Sequence, residues 1–268
     1  MKIKEVIDYL ETQGEWVNRD CTKDHILYGN ENNDIHQAIV CWVATLDIIY
    51  QAIQNDCHFI ISHENPFIWL QPTYHIPLSK HKKEKELLKK HNITIYRCHD
   101  LWDLYPKYGV RDSWGEILRF NFKEMKAYDY IKIANNIKMS FDDLISHVIK
   151  CIEPYHQAGI EVIGTTNKTI NRLGIGTGAC TDIFTMSKYD IDACIVSDDG
   201  INNWVAVQWA MDNEIPLIIV NHMTCEAPGI KNMAIFLNNK FENIEFKYVP
   251  NDYGIYHKEN KHYCLFFF

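Results

Sequence analysis

No Cys-x-x-Cys pair occurs among the nine cysteines of this chain, which stand at positions 21, 41, 57, 98, 151, 180, 194, 225 and 264. Their odd number, in a chain without a secretory signal, points to reduced, mostly buried thiols in the cytoplasm. No apolar stretch approaches the ~20 residues of a membrane span. The closing Leu265-Phe266-Phe267-Phe268 is too short for an anchor and is expected to pack against this subunit or a neighbour. Positive charge is in deficit, with 27 Lys and Arg against 35 Asp and Glu and a net charge of -8. That removes the general electrostatic reason to bind nucleic acid, and a cationic partner or a metal-bridged anionic substrate fits better. The one basic run, Lys80 through Lys90, reads as a solvated helix face or as an attractor of phosphate-bearing substrates. Gly174-Ile175-Gly176-Thr177-Gly178 follows a strand, but no G-x-G-x-x-G completes it, so a tight turn is expected rather than a dinucleotide loop. Low-complexity linkers and short repeats are absent as well.

What remains is an alternation of apolar strand-like runs and helical segments across 268 residues, enough for a sizeable core. Ala38 to Ala44 is apolar, Thr45 can cap a helix through Gln54, and Cys57 to Ser62 is the next run, together a β-α-β unit. A charged helix over Ser79 to His91 leads to a strand at Ile93 to Cys98. Ser113-Trp114-Gly115-Glu116 and Ser140-Phe141-Asp142-Asp143 each have the form of a helix start. Strands follow at Ile170 to Ile175, Ile191 to Val196, Pro216 to Val220 and Ile244 to Val249. Helices near Asp182 to Lys188, Gly200 to Asp212 and Lys231 to Asn238 join them. The pattern implies an α/β fold of two interlocked lobes with mainly parallel or mixed sheets flanked by helices. The polar segment Asn121 to Lys138 is the best boundary, giving lobes over 1–125 and 126–268 with a site in the cleft between them.

Three of the apolar runs end on metal-binding residue types. Phe59 to Ser62 stops at His63, Ile93 to Tyr96 shortly precedes His99 and Asp103, and Leu217 to Val220 precedes His222. Buried strands that stop this way put the side chains on one rim of a sheet, where ligands of open α/β sheets bind. Glu226 follows His222 by four residues, so a helical turn would put both on one face. His and carboxylate donors without cysteine suit Zn, Mn or Fe in a hydrolytic site better than a structural zinc cluster. His75, His81, His91 and His257 show no ligand spacing.

These residues resemble a known family. Ile60-Ile61-Ser62-His63-Glu64-Asn65-Pro66-Phe67 is similar to the "I-x-H-H-x-P-F" segment of the Nif-three-like family, whose members are commonly labelled GTP cyclohydrolase 1 type 2 homologues. His99-Asp100-Leu101-Trp102-Asp103 resembles its "H-T-x-x-D", and Gly109-Val110-Arg111-Asp112 its following turn. Arg172 to Gly178 resembles its central glycine-rich strand. Asp192 to Asp198 resembles its "D-A-x-x-T-G-D", and Asn221 to Glu226 its "G-H-x-x-x-E". The order is kept across nearly the whole chain.

The resemblance implies two α/β lobes, a dinuclear metal centre in the cleft and a toroidal homohexamer with the centres facing the inner cavity. The metal ligands it implies are His63, Glu64 at the second histidine's place, Asp103, His222 and Glu226. Glu64 departs from His-His and brings a harder, negatively charged donor that favours Mn, Fe or Mg over Zn. Val43, in Cys41-Trp42-Val43-Ala44-Thr45, replaces an acid, and Ser197 replaces the glycine before Asp198. Two divalent ions (Fe, Mn or Zn) about 3.5 to 4 Å apart would acidify a bridging water and clamp a substrate oxygen, with Asp103 and Glu226 as bridging carboxylates. His99 either transfers protons beside the metals or orients Asp103. The function implied is a metal-dependent hydrolase-like protein acting on a small phosphorylated or heterocyclic metabolite. The alternatives are a non-catalytic metal-binding or regulatory hexameric scaffold and, against the charge, nucleic acid binding in the ring's cavity.

Overall fold

The computed structural model describes residues 1–67, 82–201 and 203–251. Leu265 to Phe268, His75, His81, His257 and the start of the Ser79 to His91 helix lie outside them. In chain order the elements are α1 (Ile3–Glu11), β1 (His25–Tyr28), β2 (Gln37–Val43), α2 (Leu46–Gln54), β3 (Phe59–Glu64), α3 (Lys82–Lys90), β4 (Thr94–Arg97), α4 (Asp100–Asp103) and α5 (Val110–Ile117). They continue with β5 (Phe122–Glu124), β6 (Lys132–Met139), α6 (Phe141–Ile152), β7 (Glu161–Ile163), β8 (Ile170–Ile175), α7 (Ile183–Met186), β9 (Ala193–Ser197), α8 (Asn203–Asp212), β10 (Leu217–Val220), α9 (His222–Lys240) and β11 (Glu245–Tyr248).

Two mixed sheets result, each covered by helices, as the alternation of elements requires. The first runs β1-β4-β3-β2-β11, with β2, β3, β4 and β11 parallel and β1 antiparallel at the edge. The second runs β5-β6-β8-β9-β10-β7, with β8, β9 and β10 parallel and the outer strands antiparallel. The central strands are buried on both faces, which is why they read as unbroken Ile and Val runs. On the first sheet one face packs against α1 and α9 and the other against α2 and α3. Segment 121–138, polar in composition, carries β5 and most of β6, whose Ile133 and Ala134 are buried in the second sheet.

Local capping follows the sequence in two places and departs from it in a third. Thr45 accepts from Ile48 N to start α2, and Ser140 accepts from Asp143 N to start α6. α5, however, begins at Val110 and not at Ser113, whose buried hydroxyl donates to Tyr108 O. The cap is Gly109, where a Cβ would lie 2.3 Å from Trp102 O, so only glycine lets the helix start there. α9 leaves the second sheet at the end of β10 and then packs across β2, β11 and α5. Its first turn is thereby carried to the carboxyl ends of β3 and β4. No described helix is long and apolar enough to cross a membrane.

Candidate metal centre

Five side chains from three places in the chain meet in one cleft. β3 delivers His63 and Glu64, α4 delivers Asp103, and the first turn of α9 delivers His222 and Glu226. The i, i+4 spacing of His222 and Glu226 puts His222 Nε2 3.0 Å from Glu226 Oε1. All five residues expected from the sequence are brought together. His99, expected beside them, lies within the group: one donor atom each of His63, His99 and Asp103 falls within 4.8 Å of the others, as for His63, Glu64 and Glu226.

His63 defines the interior of the site. It is fully buried, and its Nδ1 lies 3.0 Å from Cys98 O, a carbonyl that can only accept, so Nδ1 carries the proton. Nε2 then points inward, 3.3 Å from Asp103 Oδ1 and 3.4 Å from Glu226 Oε2, yet has no hydrogen-bond partner. In the neutral tautomer a lone pair faces two carboxylate oxygens, a repulsive arrangement that a cation between them would turn attractive. The donor set therefore fits a divalent metal.

Glu226 spans the site, with Oε2 toward His63 and Oε1 toward His222. Asp103 shares its second oxygen differently, with Oδ2 3.3 Å from His99 Nδ1. The His99 ring stacks on His63 with centroids 4.6 Å apart, its Nδ1 2.9 Å from Asp100 Oδ1 and its Nε2 3.4 Å from Glu64 Oε1.

The electrostatics are those of buried carboxylates that need positive charge. Burial raises the Glu64 carboxyl, but the hydrogen bond from His99 and the charges of His63, His99 and Arg97 outweigh it and bring it down to about 2. Burial lowers His222, but the charge of Glu226 and its hydrogen bond prevail and lift it to about 9. His63 and His99 are likewise raised by their carboxylate neighbours against burial. Metal-free, the site holds protons in place of cations.

Four supporting residues escaped the sequence reading. Trp42 Nε1 donates to Glu226 Oε2 at 2.7 Å. Buried Asp24 accepts from the backbone N–H groups of His99 and Leu101 and so caps the turn that presents Asp103. Arg97, at the end of β4, pairs with Glu64. Asp199 Oδ2 lies 3.4 Å from His222 Nδ1. Asp198, the last residue of the Asp192 to Asp198 motif, accepts from His222 N and Asn221 Nδ2 and fixes the start of α9. The glycine-rich turn after β8 roofs the site. Gly178 has φ +52°, and a Cβ there would lie 2.6 Å from His222 Nε2 and 2.8 Å from Glu226 Oε1. The cleft above the cluster holds about 290 Å³ and is lined also by Lys23, Tyr130 and Cys180.

A family model described as Duf34/NIF3 (NGG1p interacting factor 3) matches residues 1–252. The chain belongs to the NIF3 family. Two curated relatives are each named GTP cyclohydrolase 1 type 2 homolog. The one from Clostridium acetobutylicum is 21% identical over 241 residues, covering 87% of this chain and 88% of the relative. The one from Ureaplasma parvum serovar 3 is 22% identical over 228 residues, covering 84% and 85%. The crystal structure of a Bacillus cereus protein related to NIF3 superposes with a TM-score of 0.76 at 14% identity, covering 93% of this chain and 96% of that one. At that identity the likeness shows the NIF3 fold and nothing finer.

Proposed function

We propose that this NIF3-family chain is a divalent-metal-dependent hydrolase-like protein acting on a small phosphorylated or heterocyclic metabolite through a dinuclear centre. One observation carries the reading: the buried Nε2 of His63, without a well-formed hydrogen bond and aimed at two carboxylates. His63, Asp103 and Glu226 would hold an inner ion, and Glu64, His222 and Glu226 an outer one. Such ions supply Lewis-acid polarisation of a substrate carbonyl or phosphoryl oxygen and acidify water.

The protein's own groups do the rest. His99 Nε2, which faces the cleft beside Glu64, moves the proton between the attacking water and the leaving group, while Asp100 holds its Nδ1–H. Trp42 and Arg97 orient Glu226 and Glu64. The fold supports a site at the carboxyl ends of the parallel strands of the first sheet, the usual place for ligands in open α/β sheets. The names of the curated relatives support the same class. We further assign the protein to the cytoplasm, as a toroidal homohexamer.

Elemental analysis of protein reconstituted with Mn, Fe and Zn tests the reading directly. Up to two ions per chain are expected. Asp103→Ala and His222→Ala should each lose most of the metal while circular dichroism stays unchanged. Absence of metal in every reconstituted sample would overturn it. His99→Ala should keep its metal and slow metal-dependent hydrolysis by ~10²-fold.

A further inference from the structure

Glu64 and Arg97 sit on neighbouring parallel strands, and their placement follows from the register. Arg97 pairs with Ser62, so Glu64, two residues beyond, falls diagonally across on the same face. Arg97 Nη2 donates to Glu64 Oε2 at 2.6 Å, and Nε donates to His63 O at 3.1 Å. The guanidinium is therefore fixed by two contacts, one of them to the backbone of a residue in the site. Glu64 Oε1 is left facing His99 Nε2 at 3.4 Å and His222 Nε2 at 4.0 Å.

The two cation positions consequently differ in charge. The inner atoms, His63 Nε2, Asp103 Oδ1 and Glu226 Oε2, have two carboxylates facing one another across a fully buried imidazole. At the outer position one of the two carboxylates, Glu64, is already neutralised by Arg97. A fixed positive charge one carboxylate away from a divalent ion repels it strongly at low effective dielectric. The hydrogen bond that orients Glu64 works in the other direction, but a contact of that kind contributes less than a full charge at this range.

We propose that Arg97 weakens the outer cation position and so makes the two positions unequal, the inner ion tightly held and the outer ion exchangeable. The inference rests on the two-ion reading above. An exchangeable outer ion can enter and leave with an anionic substrate. Arg97 Nη1, with no acceptor among the described residues, is then available to that substrate's negative group in the cleft.

Titration of metal-free protein with Co(II), followed by its visible absorption and by calorimetry, separates the outcomes. Wild type should bind one ion tightly and a second at least about 10-fold more weakly. Arg97→Gln, which removes the charge, should tighten the second ion by about 10-fold or more and leave the first unchanged. Arg97→Lys, which keeps the charge, should stay near wild type, and Glu64→Gln with Arg97→Gln should return the second affinity toward wild type. The unchanged first ion reports that each variant is folded. Equal affinities in wild type, or a second ion weakened or unmoved by Arg97→Gln, overturn the proposal while leaving the two-ion reading intact. Wild type that binds no Co(II) overturns both.

Discussion

Trp42, at the end of β2, donates its indole N–H to Glu226, 184 residues away in the first turn of α9, at 2.7 Å. The bond holds one oxygen of the carboxylate that spans the site and fixes the direction of the other. Its ring also meets His222 edge-on, with centroids 5.2 Å apart. Replacing Trp42 by Phe keeps the ring and removes the donor. Metal affinity is expected to fall ~10- to 100-fold, as for other residues that orient ligands, and competition with a chelating dye measures it. Unchanged affinity would show that α9 alone orients Glu226.

Gly178 leaves no space for a side chain. Gly178→Ala is expected to push His222 and Glu226 apart and to strain a left-handed backbone, at a cost of about 1–3 kcal/mol. Denaturant unfolding of the metal-free protein reads the stability, and elemental analysis reads the metal. Retention of full metal content in a fully stable variant would show that the roof tolerates a side chain above His222 and Glu226.

Metal uptake should release protons. His222 is raised to about 9 by Glu226, so in metal-free protein at pH 7 it carries a proton that a ligating nitrogen must lose. Calorimetry in buffers of different ionisation enthalpy is expected to show at least one proton released per chain at pH 7 and fewer above pH 9. The same raised value sets the sign for the metal-free fold. The contribution of the His222–Glu226 pair is complete below the ordinary histidine value of 6.5 and is lost as pH rises through about 9. Metal-free protein should thus lose stability across that window and metal-loaded protein should not.

Assembly is open to measurement through α8, whose Trp204 and Met211 are 69% and 59% exposed, with Val205 between them. Apolar exposure of this kind suits burial against another subunit. Light scattering is expected to give about six times the 31.5 kDa chain mass. A monomer over a wide concentration range would remove the ring.

The residues that were legible in the sequence are those positioned by local periodicity. His63 closes an unbroken apolar run, Thr45 and Ser140 have the spacing of caps, and His222 and Glu226 share a helical face. Trp42, Asp24 and Arg97 are fixed by contacts across elements, and no spacing rule reports such pairs. Arg97 did carry a signal, as a lone cation at the last position of a buried strand beside the strand that ends in Glu64. Ser113 misled because a hydroxyl followed by an acid looks the same at a helix start and inside a helix. There the decisive residue was Gly109, whose close approach to Trp102 is a tertiary fact. Segment 121–138 is polar because an edge hairpin buries few of its side chains.

The last described strand, β11, lies beside β2, 208 residues earlier in the chain, in parallel register from Glu245 with Gln37 to Tyr248 with Val40. During synthesis the edge of β2 therefore stays uncovered until residue 248 has left the ribosome. By then the second sheet and α9, which carries His222 and Glu226, have been made in full. Completion of the earliest-made sheet and assembly of the site are in this way both tied to the last-made part of the chain. A chain that stops before residue 222 would expose a hydrogen-bonding strand edge and lack His222 and Glu226, whereas one that stops between 227 and 244 would keep both residues beside the same uncovered edge.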